Sequence, residues 1–230
     1  MIDRLSSVTV CACTARKFIN RPDITRLVSA LINADYQVNI VPDICKIAVS
    51  DAVQMDTIAA ATIVACYPRA VRALFDGMGL KPEHVFDIRN QSCEQVLAEM
   101  GISQPVFFPE HPFPDLAPDE GQEAWNPVID NERCTKCGKC HDFCLFGVYA
   151  IENDIVKVKQ PQNCKNNCPA CARVCPSKAI IFPKYEKSPI NGGLIDEEQF
   201  AGTDFKGLYH TALKHRLAER RAGGRLTIIN

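Results

Sequence analysis

Two cysteine runs dominate the second half of this 230-residue chain. They are Cys134-Thr135-Lys136-Cys137-Gly138-Lys139-Cys140-His141-Asp142-Phe143-Cys144 and Cys164-Lys165-Asn166-Asn167-Cys168-Pro169-Ala170-Cys171-Ala172-Arg173-Val174-Cys175-Pro176. Cysteines this crowded leave no ordinary apolar core around them. The chain holds 13 in all, an odd number, and no secretory signal precedes them: Met1-Ile2-Asp3-Arg4 carries an acid and no long apolar run follows. Thiols of a cytoplasmic chain stay reduced, so metal binding is expected rather than disulfides. Soft thiolates suit iron, and two-residue spacers wrap the backbone so that its N–H groups point at cluster sulfurs. Structural zinc, for which C-x2-C pairs are also apt, is the alternative. Eight thiolates in two runs of four, ending in Cys175-Pro176, fit iron–sulfur better.

Over about residues 128–184 the pattern resembles the bacterial ferredoxin with two [4Fe–4S] clusters. In that family the fourth cysteine of each run ligates the other cluster. The resemblance implies that Cys134, Cys137, Cys140 and Cys175 hold one cluster, and that Cys164, Cys168, Cys171 and Cys144 hold the second. The swap sets the clusters close together for electron hopping. Leu145 stands where the first run usually has proline, and three residues separate Cys164 from Cys168. Neither departure removes a ligand.

Outward from these runs the composition changes. Six prolines fall within the 27 residues from Gly101 to Pro127. Proline locks φ and lacks an N–H donor, so residues 105–127 read as an extended linker. Charge divides at the same place: residues 1–128 carry 10 Lys+Arg against 16 Asp+Glu (net −6), and residues 129–230 carry 16 against 11 (net +5). Two domains are expected: residues 1–104, and residues 128–184 followed by an extension over 185–230. The first alternates short β-branched runs (Ser7–Val10, Val38–Val41, Ala61–Ala65, Val85–Ile88) with helical patterns (Asp23–Ala34, Asp51–Ala60, Arg69–Met78, Glu94–Met100). That order predicts an α/β, Rossmann-like domain with a parallel sheet, joined to an α+β ferredoxin domain with a helical C-terminal extension.

On this expected fold, Cys11 and Cys13 follow the first strand, Cys45 the second, Cys66 the third and Cys93 the fourth. The carboxyl ends of parallel strands form the crevice where ligands bind, so five thiols aim at one rim and four suffice for a third cubane. Cys45, Cys66 and Cys93 are expected as ligands, with Cys11 and Cys13 able to substitute for one another. Five small hydrophobic core cysteines are the alternative.

Cys11-Ala12-Cys13, Cys45, Ala65-Cys66-Tyr67-Pro68-Arg69 and Asp87-Ile88-Arg89-Asn90-Gln91-Ser92-Cys93 also resemble the amino-terminal region of the HdrA component of heterodisulfide reductase, over about residues 6–100. That resemblance implies a further [4Fe–4S] cluster and membership of a flavin-based electron-transfer complex. No G-x-G-x-x-G follows any strand, so the chain is expected to bind neither flavin nor NAD itself.

The remaining expectations follow from what is missing or modest. A formal charge of −1 excludes a chain basic throughout, and no nucleic-acid partner is expected. No run of 18 apolar residues appears, so no transmembrane segment is expected. His141 reads as a solvated histidine. Arg69 and Arg89 either offset cluster charge or form ordinary ion pairs, and Lys136, Lys139, Lys165 and Lys178 either steer an acidic redox partner or face solvent. An amphipathic stretch, Phe205–Arg221, is expected to dock a partner. The expected function is a non-catalytic, cytoplasmic electron-transfer subunit, partnered by a flavin- or metal-containing subunit. The alternatives are a redox or oxygen sensor, or a disulfide-reducing site on the N-terminal cluster.

Overall fold

The computed structural model describes residues 7–14, 18–102 and 124–196. Within a later helical stretch it also describes Gly207, His210, Thr211, Leu213, Lys214, Leu217 and Ala218. Four short strands, β1 (Ser7–Cys11), β2 (Gln37–Val41), β3 (Thr62–Ala65) and β4 (Val85–Asp87), form one parallel sheet in the order β2-β1-β3-β4. Val8 pairs with Val38 on one side and Thr62 on the other, and Ala65 pairs with Asp87. β1 and β3 lie in the middle and are buried along nearly their whole length, whereas the edge strand β2 alternates between exposed and half-buried positions. Continuous β-branched runs such as Thr62-Ile63-Val64 suit that central environment, where both faces are covered.

The helices between the strands are α1 (Arg21–Asn33), α2 (Ile44–Ser50), α3 (Ala52–Ala59), α4 (Pro68–Asp76) and α5 (Cys93–Glu99). The pattern expected over Asp51–Ala60 is α3, and Asp51 is its N-cap, accepting from the Gln54 N–H at 3.0 Å. Helix α2 is an addition to the expected pattern. It presents only Ile44 and Ile47 to the core, too few for a periodic signal, and depends on Asp43, whose side chain caps the Cys45 and Lys46 N–H groups. α1 packs with α5, while α4 packs against the second half of the chain.

That second half is built from β5 (Val128–Ile129), α6 (Lys139–Phe143), β6 (Tyr149–Glu152), β7 (Ile155–Val158), α7 (Ala170–Val174) and β8 (Ile180–Ile181). β5 pairs antiparallel with β8, and β6 with β7. Trp125 stacks on Phe182 with ring centroids 5.4 Å apart, beside a small core that includes Val148, Tyr149 and Val156. The two halves share apolar surface, because Val128 and Ile181 belong to the core of the first.

Polar contacts tie the halves together as well. Arg69 Nε donates to Asp130 Oδ2 at 2.7 Å, and its guanidinium also donates to the Lys178 and Pro189 carbonyls. Arg69 is thus a clamp, more than an exposed ion pair. Gly192, at φ +93°, lies so close to α4 that a Cβ there would come within 2.6 Å of the Ala70 Cβ. The segment after residue 184 therefore begins by packing back onto the first half. Most of the expected 105–127 linker and of the stretch Phe205–Arg221 lies outside the described residues. Of the helical positions described there, Leu213 is half-buried and Leu217 exposed. Among the described residues no helix is long and apolar enough to cross a membrane.

Candidate metal centres

The eight-thiol half repeats one local device. In each run the third cysteine (Cys140, Cys171) sits on a five-residue helix, and the fourth (Cys144, Cys175) is the residue that ends it. The loop before α6 turns through left-handed backbone at Lys136 (φ +56°) and Gly138 (φ +72°), and the loop before α7 does so at Asn167 (φ +58°). Because α6 packs on α7, the fourth thiol of each run faces the other run. The thiol charges felt at Cys140 are those of Cys175, Cys134 and Cys137. Those felt at Cys164 are of Cys168 and Cys144. Burial pushes the Cys140 and Cys164 thiols up to about 12, with the neighbouring thiols adding to it. Cys171 is raised further by burial, although the Tyr149 hydroxyl donates to its Sγ at 3.1 Å. The Ala179 N–H donates to Cys175 Sγ at 3.3 Å. Cys144, Cys164, Cys168 and Cys171 ring an apolar cavity of about 20 Å³ with Phe143, Val148 and Tyr149.

A second ring of thiols stands at the carboxyl ends of the first three strands. Cys11 closes β1, Cys13 follows it at φ +46°, Cys45 is the second residue of α2, and Cys66 lies between β3 and α4. All four line a cavity of about 20 Å³ with Ile44, Val71 and Leu74. The sheet order explains why they meet. The chain leaves β1 toward β2 on one side and leaves β3 toward β4 on the other, which makes the adjacent carboxyl ends of β1 and β3 the switch point of the sheet. Burial raises all four thiols, Cys66 to about 12.

Cys93 stands apart from the other four thiols of the expected rim. It follows β4, the far edge of the sheet, and its charged surroundings are Glu94, and Arg26 and Asp23 on α1. It does not line the cavity of the other four. Cys11 and Cys13 both do.

Sequence reading missed two polar residues at this site. Lys184, from the eight-thiol half, donates from Nζ to Asp43 Oδ2 at 2.6 Å and lies 3.8 Å from Cys13 Sγ. The pair is buried, with side chains 3% and 5% exposed. Burial opposes the Lys184 charge, but Cys45, Cys13 and Asp43 outweigh it and raise its pKa. Asp43 could have been found as an N-cap before an apolar residue; nothing local marks Lys184. Arg89 lies with its guanidinium 4.0 Å from the Phe18 ring centroid and 4.7 Å from that of Tyr67, and its charge favours the Cys13 and Cys66 thiolates. His141 pairs with Asp142 at 3.0 Å on the surface.

All thirteen cysteines are free thiols. Among the described residues no group of three His, Cys, Asp or Glu side chains closes on a single point as ligands of one metal ion do. Thiols ringing a space, with apolar walls and N–H or O–H donors to sulfur, are instead the donor set of an iron–sulfur protein. That class agrees with the relatives. The chain is 51% identical over 67 residues to an uncharacterized ferredoxin of Methanocaldococcus jannaschii, covering 29% of this chain and 45% of that one. It is 38% identical over 64 residues to pyruvate synthase subunit PorD of the same organism (27% of this chain, 72% of that one). It is 31% identical over 88 residues to Ferredoxin-3 of Nostoc sp. (29% and 90%). The chain belongs to the ferredoxin family. It spans less than half of the first of these relatives. No family model matches it, and no solved structure does.

Proposed function

We propose that the chain is an electron-relay subunit of a multi-subunit oxidoreductase, carrying three [4Fe–4S] clusters. Cys134, Cys137, Cys140 and Cys175 would hold one, Cys164, Cys168, Cys171 and Cys144 a second, and Cys11, Cys13, Cys45 and Cys66 a third. When bound, such clusters accept and pass on single electrons. The observation that carries the proposal is the like construction of two thiol rings, each around an apolar cavity of about 20 Å³. One of them belongs to the half that carries the ferredoxin cysteine pattern. Around them the chain's residues supply what a relay needs. Apolar walls exclude water, Tyr149 and Ala179 donate to ligand sulfurs, and Arg69 and Gly192 hold the two halves in fixed register.

The motifs resembling the HdrA component of heterodisulfide reductase support a flavin-linked complex, and a relative named as a pyruvate synthase subunit supports membership of a larger assembly. Iron and sulfide analysis with EPR of the reduced protein is the test. About 12 iron atoms per chain are expected from three clusters of four. A value near eight would remove the third centre, and purification without any partner would remove the role in a larger complex.

A further inference from the structure

Lys184 is the only lysine or arginine buried among the described residues, and it reaches out of the ferredoxin half into the other half's thiol ring. We propose that Lys184 is a positioning residue for the first-half centre, its fixed positive charge raising the reduction potential of the group held by Cys11, Cys13, Cys45 and Cys66. This rests on the proposal that those four thiols hold a redox centre.

The geometry separates Lys184 from an ordinary structural ion pair. Asp43 uses Oδ1 to cap the Cys45 and Lys46 N–H groups and Oδ2 to accept from Lys184. One carboxylate thus fixes the helix turn that carries Cys45 and also aims the ammonium, whose Nζ stands 3.8 Å from Cys13 Sγ. Pro183, the residue before it, lines the same cavity, so the ferredoxin half completes the wall. The ammonium outweighs the Asp43 carboxylate at Cys13 and Cys45 and acts at Cys66, while the carboxylate outweighs it at Cys11. Reduction adds one electron to the centre, with no bond broken and no proton moved. At a buried site a nearby cation stabilises that added charge far more than it would in water.

The test is an EPR-monitored redox titration of the full chain with dithionite as donor. The first-half signal is the one that disappears in Cys45→Ser. Lys184→Gln should move that midpoint to more negative values, and Lys184→Arg should keep it near wild type. Asp43→Asn, which still caps α2 but removes the opposing charge, should move it to more positive values. The two ferredoxin-half midpoints should stay in place throughout. A structural lesion would not produce shifts of opposite sign. If Lys184→Gln fails to fold, the Asp43→Asn shift still decides, and the neutral double variant gives the Lys184 effect without an unpaired buried carboxylate. An unchanged first-half midpoint at full iron content, or shifts of the same sign, overturns the role of Lys184. Wild-type protein with iron near eight overturns the redox centre itself, and the role with it.

Discussion

The two rings of thiols reach similar surroundings by opposite routes. In the ferredoxin half each run of cysteines spans 11 or 12 residues, and left-handed turns with a five-residue helix fold each run on itself. In the first half the thiols come from the ends of three strands spread over residues 11–66, with a cation contributed from residue 184. The first route writes the site into local spacing. The second leaves it to the order of strands in a sheet. The strand order decides which thiols meet: Cys93 follows a strand like the others, yet β4 is the outer strand and its thiol does not line the cavity.

Substitution of cysteines tests that contrast most severely. Cys45→Ser or Cys66→Ser should each lower the iron content by about four atoms per chain, and Cys93→Ser should lower it by none. Loss of iron in Cys93→Ser would restore the five-thiol rim. The junction comes next. Arg69→Ala leaves Asp130, whose side chain is 10% exposed, without its cation and frees two carbonyl acceptors. Unfolding free energy should fall by about 3 kcal/mol, the cost of breaking a largely buried pair. Urea denaturation that shows no loss would reduce the clamp to a surface contact.

Two smaller effects sharpen the picture further. Gly192→Ala introduces a methyl within 2.6 Å of the Ala70 Cβ at φ +93°. It should cost about 2 kcal/mol, read as a lower melting temperature. Tyr149→Phe removes one buried hydrogen bond to Cys171 Sγ. Stability should change by about 1 kcal/mol or less, with a small negative shift in one ferredoxin-half midpoint and none in the first-half signal. A shift confined to the first-half signal would contradict the assignment of Cys171.

The sheet and most of its helices are legible in the sequence because β-branched runs and 3.6-residue periodicity are local signals. Ser7–Cys11, Gln37–Val41, Thr62–Ala65 and Val85–Asp87 all lie within a residue of where the pattern puts them. Helix α2 is illegible since two buried isoleucines carry no period. Strands β5 and β8 are two residues each and exist by pairing with one another across some 50 positions. The thiol ring of the first half is half legible. Strand ends can be read from the sequence, whereas Cys93's exclusion requires the strand order, and the Lys184–Asp43 pair joins residues 141 apart. Arg69 reads equally well in two roles because its partner, Asp130, lies 61 residues away.

The position of Lys184 in the chain also governs when the centre can be built. During synthesis the strands bearing Cys11, Cys45 and Cys66 emerge early, but the wall made by Pro183 and Lys184 arrives only after both ferredoxin runs have been made. Contacts this distant in sequence form late, because the intervening loop must close before they stabilise anything. With the proposed ligand sets, both ferredoxin sites have all their thiols once Cys175 has been made, before Pro183 and Lys184 emerge. The first-half ring stays open to solvent until the last of its walls docks. The portion of the protein translated first is thus the portion whose thiol ring is closed last.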